Sequence, residues 1–210
     1  MQSKRCVVSV AFRTKYVEHS LNQERWIKEN HPDLHCIFFR DTLPHKGGIY
    51  KENIVDRFQE SLYGFKPHAI EYAINEGYRE IIWFDPSVLP IDSLDVIFDA
   101  LKEHPVIVRT GDQKLKGMVN QRALNWFGVK NIEDVNHVGG TIYAFNFNDA
   151  KAINIFYKWK EAEEAGMFGN QDDFMKGHWA DEACMALSLH TYYHEQYFPA
   201  FKYLNQKEFT

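Results

Sequence analysis

Apolar positions along the first half of the chain alternate between short unbroken runs and helical spacings. Cys6 to Phe12 is a β-branched run that predicts a buried first strand, ending at Arg13-Thr14. Val17 to Asn30 is polar enough for a surface helix and stops before Pro32, and Leu34 to Phe39 follows as a second strand. Asp41 to Lys51 carries Pro44, Gly47 and Gly48 and reads as a long loop of the kind that serves as a functional lid. Residues 51–62 look helical. A further helix has Pro67 in its first turn, repeats Ala69, Ile70, Ala73 and Ile74 on one face, and closes at Gly77.

The run Glu80 to Phe84 predicts a buried strand that stops abruptly on Asp85, with Pro86 and Ser87 in the following turn. Asp92 is placed to cap a helix with the apolar stripe Leu94, Ile97, Phe98 and Leu101, and Pro105 to Arg109 reads as a fourth strand. This β–α–β–α–α–β–α–β order predicts an α/β fold, a mostly parallel central sheet flanked by helices. Gly111 to Asn136 is less regular; it is followed by a strand over residues 141–147, a helix from Asp149 to about Ala165 and, after a Gly-rich loop, a helix from Trp179 to His190. The aromatic tail from Tyr192 to Phe201 is suited to a sheet edge. With no repeat, low-complexity tract or linker, residues 1–210 read as a single domain.

Composition narrows the function classes. A chain of 210 residues buries roughly 70% of its unfolded surface and needs no staple. With 45% hydrophobic and 25% charged residues it is an ordinary globular composition, whereas 16 Phe, 11 Tyr and 5 Trp give unusual stacking surface for a base or a sugar, or simply a large core. A formal charge of −5 provides no basic footprint for nucleic acid. Cys6, Cys36 and Cys184 lie in apolar stretches without metal-ligand spacing and read as buried free thiols. The first apolar run is too short for a secretory leader and no stretch reaches the roughly eighteen apolar residues of a membrane span, so a soluble, cytoplasmic location is expected.

Three constellations carry candidate chemistry. Asp85, at the tip of a buried strand, is where ligands of open α/β sheets bind, although Asp-Pro-Ser is also ordinary turn chemistry. His178, Asp181 and Glu182 cluster at a helix start, with His178 and Glu182 four apart; such groups bind divalent ions or move protons, and acids there are also favoured by the helix dipole alone. Lys66 precedes a helix N-terminus, suited either to steadying a diphosphate or to lying solvated in a turn. Lys114, Lys116 and Arg122 read as a solvated loop face. His45, His68, His104, His190 and His194 show no metal-ligand spacing and read as ordinary histidines. Glycine-rich dinucleotide, Walker and Gly-x-Ser-x-Gly signatures are all absent, which excludes phosphate-loop ATPases and most α/β-hydrolases.

Four segments in order, Tyr63-Gly-Phe-Lys-Pro-His-Ala-Ile, Trp83-Phe-Asp-Pro-Ser-Val, Gly139-Gly-Thr-Ile-Tyr-Ala-Phe-Asn and Gly177-His-Trp-Ala-Asp-Glu-Ala, resemble small glycosyltransferases of the GT-A type, including bacterial and viral members with a degenerate Asp-x-Asp motif. The resemblance implies a nucleotide-diphosphate sugar donor, a glycan or glycoconjugate acceptor and a divalent metal, Mn²⁺ or Mg²⁺. It assigns Asp85 to metal and donor, with Ser87 standing where the second acid is expected, a neutral and weaker ligand for a hard cation. His178 or Asp181 then completes the metal site, or Lys66 substitutes for the ion. Gly139 and Gly140 lie near the sugar, and Asp181, Glu182 and His137 are the candidates for acceptor base or sugar contact. A nucleotidyltransferase of related fold and an inactive carbohydrate-binding or scaffold protein are the competing readings; the first lacks its usual basic, Gly-rich loop.

Overall fold

The computed structural model describes residues 4–46, 48–192 and 203–205, with no side-chain account for residues 111, 112 and 203–205. Its centre is a five-stranded sheet in the order β2-β1-β5-β8-β7. The strand β1 (Arg5–Ala11) pairs in parallel with β2 (His35–Arg40) on one side and β5 (Glu80–Phe84) on the other. The fourth strand in the sheet, β8 (Asn136–Asn146), is antiparallel to β5 and to β7 (Val106–Lys114), so four of the five strands share a direction. The expectation of a mostly parallel sheet flanked by helices is met, with β8 as the one reversed strand.

Burial on both faces explains the unbroken apolar runs of β1 and β5. Val8, Ile81, Trp83 and Tyr143 enter one core, with Ile70 of α3 (Phe65–Asn75), Ala123 of α5 (Gln121–Phe127), Phe156 and Trp159 of α6 (Ala150–Glu164), and Cys184 and Leu187 of α8 (Ala180–Tyr192). Val7, Ile82, Phe84, Ile107 and Ile142 enter the opposite core with Ile27 of α1 (Thr14–Asn30) and Ile97 and Phe98 of α4 (Asp95–Ala100). Burying one large aliphatic side chain stabilises by about 1.5–3 kcal/mol, so this two-sided alternation sets the sheet's register.

Several expected boundaries move. The loop expected over 41–51 holds a small hairpin, β3 (Leu43–His45) against β4 (Gly48–Tyr50), and the helix expected over 51–62 is shorter, α2 (Ile54–Glu60). Asp92 does not cap α4: its carboxylate accepts from Ser93 N, and Ser93 Oγ instead accepts from Asp95 N at the helix start. The turn after Asp85 continues into β6 (Val88–Pro90), which pairs with β9 (Tyr203–Asn205), while the tail expectation for 193–201 lies outside the described residues. The strand expected at 141 begins at Asn136, and the irregular stretch before it contains α5. A short helix, α7 (Gln171–Met175), sits where a Gly-rich loop was expected, fixed by a capping box in which Asn170 accepts from Asp172 N and Asp173 N. Cys6 and Cys184 are buried, whereas Cys36 on the edge strand is half-buried; all three are free thiols. Among the described residues no helix is long and apolar enough to cross a membrane.

Candidate active site

The carboxyl ends of β1 and β5 and the first half of β8 meet along one edge of the sheet, and a cavity of about 400 Å³ opens there, lined among others by Arg13, Lys66, Asp85, Gly140, Asp181 and Glu182. This is the edge at which parallel α/β sheets bind ligands. A larger hollow of about 570 Å³ lies at the amino ends of β1 and β2, lined by residues such as Lys4, His31 and Tyr78, away from the converging acids.

Asp85 makes the turn contacts that its sequence context allowed, and it also lines the cavity. Its backbone N–H donates to Thr141 O (2.9 Å), and the side chain of buried Gln23 donates to Asp85 O (3.2 Å) and Val88 O (2.6 Å), pinning the turn from α1. Its Oδ1 accepts from Ser87 N at 2.9 Å, an Asx turn that occupies one carboxylate oxygen while the residue still lines the cavity. Ser87 is buried beside it.

Lys66 is not a solvated turn residue. It is 2% exposed, turned inward from the first turn of α3, with Nζ donating to Asp181 Oδ2 (2.6 Å) and Gly140 O (3.0 Å) and lying 4.8 Å from the centre of the Tyr63 ring. Asp181 also accepts from the Tyr143 hydroxyl at 3.0 Å. Burial pushes the Asp181 carboxyl up to about 6, reinforced by neighbouring Glu182 and opposed by Lys66. For Lys66 burial works against the charge, but Asp181 and Asp85 outweigh it and its pKa is raised, so the ammonium persists. Glu182 is equally fixed: Oε1 accepts from Gly140 N (2.6 Å) and Oε2 meets His137 Nε2 (2.9 Å). Burial opposes its ionisation, yet the contacts from His137, Lys66 and Gly140 bring its pKa below the usual carboxylate value.

Gly140 makes this packing possible. A Cβ there would stand 2.8 Å from Lys66 Nζ and 2.9 Å from Asp181 Oδ2, closer than real Cβ contacts, and a tight 3.0 Å from Glu182 Cγ, so these side chains would have to shift. Gly139 lies outside the cavity lining, with Arg109 at ordinary contact distance from its would-be Cβ. His178 is also not brought to the cavity. It precedes α8 and is buried; Nδ1 accepts from Asn120 N (3.3 Å) and Nε2 faces Met167 O (2.7 Å), so backbone groups take both ring nitrogens. Burial lowers its pKa, consistent with a neutral ring.

The remaining lining includes residues that sequence reasoning passed over. Arg13 stands at the tip of β1 with φ 76°, exposed, and makes no ion pair among the described residues. Its signal was available, a cation directly after the first strand. Phe58 and Tyr63 meet edge to face, 5.3 Å between ring centres, and line the cavity with Tyr16; Phe174 and Trp179 lie 6.3 Å apart, and Trp179 packs on His137, the partner of Glu182. Tyr63 and Ala180 also hold positive φ, 60° and 33°, so strained backbone gathers around this one cavity.

A divalent cation of the kind the resemblance implies would find the Asp85 oxygen that has no partner among the described residues and the hydroxyl of Ser87. That is a thin donor set, but Mg²⁺ is ordinarily held by one or two carboxylates together with substrate phosphates, and the pair fits such a shared site.

No protein-family model matches the chain, and no curated protein does. Solved structures do: the apo structure of the WbbM bifunctional glycosyltransferase aligns with 90% of this chain at 12% identity and TM-score 0.52, and the chain spans 38% of that protein. The fold is a glycosyltransferase fold. Weaker likenesses to the glycosyltransferase GlyE of Streptococcus pneumoniae TIGR4 (TM-score 0.46, 9% identity, 91% of this chain, 44% of that one) and to a glycosyltransferase that acts in glycosylation of the PBCV-1 major capsid (TM-score 0.46, 9% identity, 79% and 69%) are of the same kind. Within this glycosyltransferase fold the carboxyl edge of the sheet is the only place among the described residues where Asp85, Lys66, Asp181 and Glu182 meet around one cavity.

Proposed function

We propose that the chain transfers a glycosyl group from a nucleotide-diphosphate sugar to a hydroxyl of a glycan or glycoconjugate. The observation that carries the reading is the convergence of Asp85, Lys66, Asp181 and Glu182 on one cavity at the carboxyl edge of the sheet. Departure of the nucleoside diphosphate develops negative charge, and fixed cations or donors aimed there are the main electrostatic requirement. Lys66 is largely neutralised by Asp181, so Arg13, exposed in the cavity lining, is the cation suited to the diphosphate. Asp85 and Ser87 would hold Mn²⁺ or Mg²⁺ against that diphosphate, where the ion supplies Lewis-acid stabilisation of the leaving group.

Glu182 is the group suited to take the proton of the acceptor hydroxyl. It is ionised, positioned by Gly140 N and backed by His137, which can accept or relay the proton. Asp181, tied to Lys66 and Tyr143, forms the floor and offers a carboxylate to the sugar's hydroxyls. Tyr16, Phe58 and Tyr63 suit the flat base of the nucleotide, and Phe174 with Trp179 the apolar face of a sugar.

A thermal-shift panel of nucleoside diphosphates and nucleotide sugars, with and without Mn²⁺ or Mg²⁺, tests the reading. A ligand at a hundred times its Kd stabilises by about 2.7 kcal/mol, which for a chain of this size raises Tm by roughly 5–10 °C. No shift with any member of the panel would refute the proposal. Binding with no release of sugar to any acceptor or to water would leave a carbohydrate-binding protein in its place.

A further inference from the structure

His45, His68 and Glu163 are 23 and 95 residues apart along the chain, yet the fold gathers them under the β3–β4 hairpin, between α3 and the end of α6. All three are buried, at 5%, 6% and 0% exposure, and one ligand atom from each lies within 4.8 Å of the other two. The two imidazole rings meet edge to face, 5.3 Å between centres. His68 Nε2 stands 2.9 Å from Glu163 Oε2, and the Ser61 hydroxyl donates to Glu163 Oε1 at 2.9 Å.

This network does not close by itself. His68 Nδ1 is buried with no hydrogen-bond partner among the described residues. Whichever ring nitrogen carries the proton, Nδ1 stays buried and unpaired, and Glu163, fully buried, has among the described residues, besides His68 and the Ser61 hydroxyl, only the charge of Lys46 acting on it. Either state costs free energy, on the order of 1–3 kcal/mol for an unsatisfied polar group and more for an unpaired charge. A divalent cation among the three side chains supplies Glu163 with a counter-charge and, where Nδ1 is the ligand atom of His68, gives that nitrogen its partner.

We propose that His45, His68 and Glu163 bind a transition-metal ion of the zinc type, at a site separate from the cavity of Asp85. Two imidazoles and one carboxylate are a ligand set that zinc accepts in tetrahedral geometry, with a water in the fourth position. Zinc–nitrogen distances of about 2.0 Å put tetrahedral ligand atoms roughly 3.3 Å apart, so the three groups close by about 1.5 Å at most on binding. The hairpin can supply that movement, because His45 is its last β3 residue and Lys46 after it is exposed at φ 34°. Lys46 and Arg57 both act on His45 and oppose a cation, which the three ligands have to outweigh. A bound ion fixes the first turns of α3, and with them Lys66, two residues before His68.

Equilibrium dialysis of the untagged, chelator-stripped protein against Zn²⁺ alone tests the site, with the visible spectrum of Co²⁺ as a second reading of tetrahedral coordination. The expected result is one equivalent of zinc and a raised Tm, with affinity at least about tenfold weaker in His45→Gln and in Glu163→Gln. His35→Ala, at an exposed histidine, and Asp85→Asn should leave zinc binding unchanged. If Glu163→Gln does not fold, His45→Gln decides, its metal-free melt serving as the control for folding. No bound zinc, binding that survives His45→Gln, or binding that Asp85→Asn abolishes overturns the proposal.

Discussion

Replacing Lys66 with methionine keeps the side chain's length and apolar stem and removes the ammonium 2.6 Å from Asp181. Both side chains of this pair are 3% exposed, so solvent cannot take over the lost partner. Breaking a buried ion pair from one side costs about 3–5 kcal/mol, because the remaining charge stays desolvated. Asp181 has one escape, which is to bind a proton. Its pKa is already about 6 with Lys66 present, raised by burial, and it rises further when the ammonium goes. In both proteins a folded-state pKa above the unfolded one means stability that is full at low pH and lost as pH rises through the folded pKa.

The wild type therefore loses its share between about pH 4 and 6, and the variant continues losing above that. The gap between them should stay constant below about pH 6 and widen above it by about 1.4 kcal/mol per pH unit until the pH passes the raised Asp181 pKa of the variant. Lys66 itself, with a raised pKa, loses its contribution only above its ordinary alkaline range and does not disturb this window. Urea unfolding followed by tryptophan fluorescence at pH 6, 7 and 8 measures the gap. The double variant Lys66→Met/Asp181→Leu should recover most of the loss, since it leaves the Tyr143 hydroxyl unpaired but no buried charge. A loss under about 1 kcal/mol at pH 8, a loss that does not change with pH, or a double variant no more stable than the single one would refute the reasoning.

Three further substitutions separate structural from functional roles. Asp85→Asn keeps an oxygen to accept from Ser87 N, so stability should change by no more than about 0.5 kcal/mol while sugar transfer falls at least about tenfold; equal activity would reduce Asp85 to a turn residue. Arg13→Gly should raise stability by about 1 kcal/mol by relieving φ 76°, yet weaken nucleoside-diphosphate binding and flatten its salt dependence in titration calorimetry. Gly140→Ala should cost about 1–3 kcal/mol in chemical denaturation and abolish most turnover, since the new methyl pushes Lys66, Asp181 and Glu182 apart.

Much of the sheet was legible because β1 and β5 are buried on both faces and need unbroken apolar runs, and the start of α6 near Asp149 was legible from its apolar stripe; the structure adds that Asp149 caps it, accepting from Lys151 N at 2.7 Å. The start of β8 was hidden because Asn136 and His137 are partly exposed and polar. The hairpin at 43–50 was hidden because three-residue strands carry no period. For the site, each acid was visible singly, Asp85 by its strand end and Asp181 and Glu182 by their helix start. Their mutual geometry was not, since Lys66 and Asp181 are 115 residues apart and meet only because β8 runs antiparallel between β5 and β7. The same limit applies to His45, His68 and Glu163, where sequence spacing offered no ligand pattern and folding brought two of the histidines to one carboxylate.

Packing alone does not account for what surrounds the cavity. A buried Lys–Asp pair is often no more stabilising than well-packed apolar residues of the same volume, and residues held at positive φ cost about 1–3 kcal/mol each. Arg13, Tyr63 and Ala180 hold such backbone, and the Lys66–Asp181 pair, Glu182 and Gly140 complete the same ring. Asp41, Lys46 and Asn53 also have positive φ, but they occupy turns and a helix cap, where short polar residues and loop ends commonly take it. Arg13 caps α1, Tyr63 sits in the turn before α3 and Ala180 opens α8, yet none of the three has a short polar side chain that could bond back to backbone in this conformation. The compensation for them has to come from what they hold in place, which is a charged, aromatic-walled opening at the ligand edge of the sheet. Replacing the ring with apolar, unstrained residues should therefore yield a more stable protein that no longer binds a nucleotide sugar.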